Sequence, residues 1–109
     1  LDVVIIGGGQ AGLAASVCLA RHNIEHIVLE KEEIGASWRR HRWDSFCLVT
    51  PNWTVCLPGQ DYAGPDPNGF MSGQAFVDYL VQYAKSFKIP LRRPVEVTRA
   101  TPTSTGWEI

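Results

Sequence analysis

The spacing of apolar positions changes several times along the chain, and each change marks an element. Residues Val3-Val4-Ile5-Ile6 form a short, continuous β-branched run, the pattern of a strand buried in a parallel sheet. The run empties into Gly7-Gly8-Gly9. From Gln10 to about Arg21 the period becomes helical, and Ala11, Ala14, Ala15 and Cys18 recur at three- and four-residue spacing. That predicts a helix whose small-residue face packs closely on a sheet. After a turn at His22-Asn23, a second strand is expected from about His26 to Glu30. The charged residues from Lys31 onward indicate a solvated loop, with Gly35 at a turn.

From Asp44 to Gly69 regular periodicity is weak, and Pro51, Pro58, Pro65 and Pro67 with Gly59, Gly64 and Gly69 interrupt any helix. A loop of this length within a compact domain is usually functional or mobile. Phe46, Leu48, Val49, Trp53, Val55 and Leu57 tie its first half to apolar surroundings, either the core or a bound aromatic ligand. Ser72 to about Phe87 reads as an amphipathic helix. Ser72 is its N-cap, and Phe76, Leu80, Ala84 and Phe87, flanked by Tyr79 and Tyr83, form its packing stripe. Pro90 ends it. Leu91, Val95 and Val97 then alternate with polar neighbours, and Ser104-Thr105-Gly106 turns the chain before Trp107-Glu108-Ile109, a β-hairpin or meander with its second strand cut short.

The first strand and helix enclose the one chemically explicit motif. Gly7, Gly9 and Gly12 fit G-x-G-x-x-G, in which the first glycine permits the sharp turn, the second lets backbone approach a pyrophosphate, and the third lets helix and sheet close up. The helix presents its unpaired N–H groups and positive dipole end to the phosphates. Glu30 lies about 20 residues further on, where this motif places an acid that hydrogen-bonds an adenosine ribose. A carboxylate there would repel a 2′-phosphate, so FAD or NAD fits better than NADP. A ligand-free βαβ unit is the plain alternative. The fold class is therefore α/β: a Rossmann-like βαβ start of a parallel sheet plus a β-meander, incomplete in this chain.

Composition narrows the function classes. A formal net charge of −1 over 109 residues gives no reason to expect a nucleic acid. With 45% hydrophobic residues the chain can bury a real core. No apolar run is long enough to cross a bilayer and no signal peptide is visible, so a soluble cytoplasmic protein is expected. Cys18, Cys47 and Cys56 match neither a Cys-x-x-Cys pair nor a metal spacing, and read as reduced, mostly buried thiols. His22, His26 and His41 form no ligand set and read as surface or strand-edge residues. Nothing in the composition fixes an oligomeric state. The chain opens on Leu1 at the lip of the first strand and closes inside another strand, so the native polypeptide is expected to continue beyond Ile109.

Taken together, several segments resemble flavin-containing monooxygenases. They are Gly7-Gly8-Gly9-Gln10-Ala11-Gly12, Val28-Leu29-Glu30-Lys31, Gly35-Ala36-Ser37-Trp38-Arg39, Trp43-Asp44-Ser45, Leu48 with Thr50-Pro51, and Leu57-Pro58-Gly59. Phe76-Val77-Asp78-Tyr79-Leu80, Tyr83-Ala84 and Val95-Glu96-Val97 extend the similarity over nearly the whole chain. The resemblance implies that residues 1–109 are the N-terminal part of an FAD-binding domain, interrupted in the whole protein by an NADPH domain, and that the substrate is a small molecule. It places Gly7, Gly8, Gly9, Gln10, Ala11, Gly12, Glu30 and Lys31 at the FAD phosphates and ribose. Ser37, Trp38 and Arg39 lie along the cofactor, Thr50 and Asn52 near the flavin ring, and Val97 at the adenine.

Arg39, Arg40 and Arg42 read equally well as a solvated basic face. No general acid, base or nucleophile constellation is visible, so catalytic residues are not assigned. Two alternatives remain. A disulfide reductase would carry its first redox cysteine where Trp38 stands, and Cys47 and Cys56 are wrongly spaced for such a pair. A non-catalytic dinucleotide-binding module would use the same glycines without turnover.

Overall fold

The computed structural model describes residues 1–39, 48, 50–61 and 63–109, with Ser37 and Arg39 described by their backbone alone. The features expected of Arg40, His41, Arg42, Trp43, Asp44, Ser45, Phe46, Cys47 and Val49 lie outside the described residues. Strand β1 (Val3–Ile6) pairs in parallel with β2 (His26–Leu29), in a register that sets Val3 opposite His26 and Ile6 opposite Leu29. A two-residue strand, β5 (Leu91–Arg92), pairs in parallel with the other side of β2, giving the order β1-β2-β5. Parallel neighbours require crossovers, and helices α1 (Gln10–Arg21) and α3 (Gly73–Ser86) lie in the two connections. Among the described residues β1 borders one strand only. It is accordingly half-buried, and Ile6 is 55% exposed, where the apolar run predicts full burial.

The first helix begins and ends where its period predicts, but it turns a different face inward. Leu13, Ser16 and Val17 are buried, whereas Ala11, Ala15 and Cys18 are exposed and Ala14 packs only partly. A Cβ on Gly12 would fall on the Gly7 carbonyl oxygen, so the helix rests closely on the turn there, and its inward face carries Leu13 and Val17 into the core. Asn23, at φ +56°, reverses the chain after His22. His26 also departs from expectation. It is buried on β2, where its Nε2 meets Ser16 Oγ at 2.6 Å and its Nδ1 meets the Ile24 carbonyl at 2.9 Å. Because a carbonyl only accepts, Nδ1 carries the proton, and Nε2 accepts from the Ser16 hydroxyl.

The core lies between α1, α3 and the 55–57 segment: Leu13, Val17, Val55, Leu57, Phe76, Leu80, Tyr83 and Ala84. Helix α3 is capped as its sequence predicts, with Ser72 Oγ accepting from Ala75 N at 3.1 Å. Val77, outside the predicted stripe, is fully buried beneath Gly35, and Phe87 stays at the surface. Gly35 begins the turn into a short helix, α2 (Ala36–Arg39), and has φ +78° with no room for a side chain against Val77.

The long loop holds a 3₁₀ turn at Asn52–Thr54 and a small hairpin of β3 (Cys56–Leu57) and β4 (Gln60–Asp61). Val55 and Leu57 are buried there and Leu48 is partly so, but Trp53 is exposed, contrary to its apolar character. The antiparallel element near the end pairs β6 (Thr101–Pro102) with β7 (Trp107–Glu108), closed by Thr103 N donating to the Gly106 carbonyl at 2.7 Å. Val95 and Val97 precede this ladder. Cys18 and Cys56 are free and exposed, which corrects the expectation of buried thiols.

Candidate functional site at the glycine turn

The turn between β1 and α1 is held by the neighbouring strand. Gly7 takes φ +101°, accessible to glycine, and its N–H donates to the Leu29 carbonyl at 2.8 Å. Gly8 N–H then donates to Glu30 Oε2 at 2.5 Å, while Glu32 N–H donates to Oε1 at 3.0 Å. Glu30 thus faces the turn, and each carboxylate oxygen keeps further acceptor capacity. A Cβ on Gly8 would lie 3.1 Å from Leu91 Cδ1 and 3.2 Å from Glu30 Oε2, so a side chain here would press on both of these neighbours within the fold.

Gly9 is different. Its backbone is ordinary (φ −80°, ψ −171°) and a Cβ there would meet nothing within 4 Å. Neither torsion nor packing requires a glycine, so its smallness serves whatever approaches from outside. Gly9 is also the N-cap of α1, and no side chain caps that end. The first-turn N–H groups of Gln10, Ala11 and Gly12 therefore face outward beside the open Gly9 surface, the arrangement that receives an anion.

Two hollows reach the ends of the turn, one at Gly7 and the other at Gln10. One, of ≈ 250 Å³, is lined by Ile6, Gly7, Glu30, Lys31, Val95 and Val97 among others. Val95 N donates to the Glu30 carbonyl at 2.8 Å, which carries the 95–97 segment past the acid. The second, of ≈ 280 Å³, is lined by Gln10, Trp38, Leu48, Thr50, Thr54, Val55, Cys56, Leu57 and Phe76. Trp38 meets Phe76 edge-on, with ring centroids 4.6 Å apart. Each hollow is small for a complete cofactor; one reaches Gly7 and the other Gln10, at the two ends of the glycine turn.

Of the residues singled out in the sequence, the structure brings Gly7, Glu30, Lys31 and Val97 to the first hollow and Gln10, Trp38 and Thr50 to the second. Asn52 is buried behind the second. Its Nδ2 donates to the Asp66 carbonyl at 2.8 Å and its backbone N to Gly69 at 2.9 Å. Ser37 and Arg39 lie on α2 beside Trp38, their side chains outside the described residues. Sequence reasoning did not place Cys56, Thr54 or Phe76 at the site. The Cys56 thiol donates to Asp61 Oδ1 at 2.7 Å, and this hydrogen bond, with some desolvation and the carboxylate's charge, pushes the thiol pKa up. Cys56 is thus a thiol held protonated, not an activated nucleophile. Among the described residues no cluster of His, Cys, Asp or Glu suits a metal, and no helix is long and apolar enough to cross a membrane.

The chain is 43% identical over 98 residues to an uncharacterized CzcO-like oxidoreductase of Geobacillus kaustophilus, covering 89% of this chain and 28% of that protein. It is 38% identical over 110 residues to a probable indole-3-pyruvate monooxygenase, YUCCA10, of Arabidopsis thaliana, covering 98% of this chain and 28% of that one. Among solved structures, a flavin-containing monooxygenase from Stenotrophomonas maltophilia superposes with a TM-score of 0.85 at 32% identity, over 94% of this chain and 31% of that one. The chain therefore spans less than a third of the length of each of these proteins. The family model described as pyridine nucleotide-disulphide oxidoreductase matches residues 4–109, and the chain belongs to that family.

Proposed function

We propose that residues 1–109 are the N-terminal part of the FAD-binding domain of a flavin-dependent, NADPH-using monooxygenase acting on a small molecule, with the NADPH domain elsewhere in the whole protein. One observation carries the reading: an acidic-edged hollow reaches Gly7, an aromatic one reaches Gln10, and the uncapped helix start at Gly9 lies between those two residues in the chain. A dinucleotide has that shape, with two ends joined by a pyrophosphate. Glu30 accepts the ribose hydroxyls, with Lys31 at the rim, and the backbone at Val97 borders the adenine. The N–H groups of Gln10, Ala11 and Gly12 receive the phosphates. Trp38 and Phe76 wall the flavin ring, with Thr50 at its edge, Ser37 and Arg39 alongside and Asn52 supporting the loop behind it. When bound, the flavin supplies hydride acceptance and oxygen activation. This chain's residues bind it, orient it and exclude water from its ring. The similarity to named monooxygenases favours oxygenation over disulfide reduction, as does Trp38 at the position where the reductases carry a redox cysteine.

The test is the visible spectrum of the purified full-length protein, followed by NADPH-dependent oxygen uptake. A yellow protein that consumes oxygen with NADPH is the expected result. A colourless protein without uptake would favour a non-catalytic dinucleotide-binding module.

A further inference from the structure

Both walls of the aromatic hollow are fastened to one face of α3, by different means. On one side the fastening is ring packing, since Trp38 meets Phe76 of α3 edge-on. The opposite wall is the 54–57 segment, which continues into the β3–β4 hairpin, and this is fastened by two phenol hydroxyls. Tyr79 Oη donates to the Gln60 carbonyl at 2.8 Å and accepts from Leu57 N at 3.3 Å. Tyr83 Oη donates to the Pro58 carbonyl at 2.6 Å. The rings of Phe76, Tyr79 and Tyr83 stack in turn along the helix, with centroids 6.1 and 6.2 Å apart.

We propose that Tyr79 and Tyr83 are positioning residues that fix the hairpin wall relative to Trp38 and so set the fit of the hollow to the planar ring it holds. The inference rests on the reading of that hollow as the flavin site. Neither hydroxyl is among the groups lining the hollow. They act through Cys56 and Leu57, which are. A two-residue ladder is too short to hold a wall by its own pairing. The hydroxyl bonds reach backbone on both arms and in the turn, at Leu57, Pro58 and Gln60, and leave the hairpin little freedom to shift. Burial, as the leading cause, pushes both phenol pKa values up, so both remain donors across the physiological range.

The experiment uses the full-length flavoprotein and the variants Tyr79→Phe, Tyr83→Phe and the pair together, with Leu80→Val as a comparator that loosens the core without removing a hairpin hydrogen bond. FAD affinity, the visible absorption band of bound flavin and the melting temperature of the apoprotein are measured for each. The paired variant is expected to bind FAD on the order of tenfold more weakly and to shift the flavin band, as loss of hydrogen bonds of ordinary strength implies. Each single variant should show a smaller change in the same direction, and these carry the test if the paired variant does not fold. Leu80→Val is expected to lower the melting temperature without moving the band. Unchanged affinity and spectrum in the tyrosine variants would overturn the proposal, and so would an equal spectral shift in Leu80→Val, which would mean general loosening. A wild-type protein that binds no FAD would instead defeat the reading of the hollow itself.

Discussion

The backbone N–H of Gly8 donates to Glu30 Oε2 at 2.5 Å, so the acid just past the second strand holds the turn after the first. Glu30 has two tasks: one lone pair on each oxygen fixes protein backbone, and the remainder is available to a ligand. Glu30→Ala should weaken FAD binding by about 1–3 kcal/mol, the scale of a charge-assisted hydrogen bond left unmade. Titration of the full-length apoprotein with FAD, followed by calorimetry, measures this. Unchanged affinity would mean that the carboxylate serves the turn alone.

Gly12 and Gly9 should separate stability from binding. Gly12→Ala drives a methyl into the Gly7 carbonyl and should destabilise the fold by roughly 3 kcal/mol, the upper range for overpacking. Gly9→Ala places its methyl in open space at an ordinary backbone conformation, so stability should stay within about 1 kcal/mol. Denaturant unfolding of both variants checks the contrast. Equal losses would show that Gly9 is packed.

Ser16→Ala should cost about 1–3 kcal/mol, because it leaves His26 Nε2 buried without the hydroxyl it accepts from. Thermal unfolding at neutral pH measures it. A neutral result would place a replacement donor beside the ring.

Cys56 provides a chemical probe of the aromatic hollow. Its pKa lies above the ordinary thiol value because Asp61 accepts from the thiol and repels the thiolate, so the reactive form is scarce at neutral pH and grows as pH rises. Asp61→Asn removes that charge, lowers the pKa and should speed alkylation near pH 8. Bound FAD should protect Cys56, which lines the hollow, and leave the exposed Cys18 reactive. Mass spectrometry of the alkylated peptides reads both effects. Equal labelling of Cys56 with and without FAD would put the flavin elsewhere.

The parts of the fold legible in the sequence were those fixed by local chemistry. A β-branched run followed by glycines gives β1 and its turn, Ser72 caps α3, and the spacing from the glycines to Glu30 follows from one βαβ unit. The parts that were not legible depend on contacts distant in sequence. Helix α1 buries Leu13 and Val17 in a core shared with α3 and the 55–57 segment, contacts that its small-residue spacing does not reveal, so Ala11 and Ala15 lie on the exposed face. His26 is buried with Ser16 of α1 as a hydrogen-bond partner, a pairing across ten positions that local spacing does not show. β5 is two residues long and exists through its pairing with β2, leaving no periodic signal. At the site, Glu30 and the glycines follow from the motif. Cys56 and Phe76 line one hollow although 20 positions apart in sequence, and the tyrosine bonds from α3 to the hairpin leave no signal in local spacing.

The most direct measurement is an FAD titration of the full-length apoprotein in wild-type and Gly9→Val forms, with circular dichroism on both. The wild type should take up one flavin per glycine turn, and Gly9→Val should remain folded yet stay colourless, its branched side chain occupying the space beside the helix start where the pyrophosphate belongs. A folded Gly9→Val protein that binds FAD as tightly as the wild type would contradict the account.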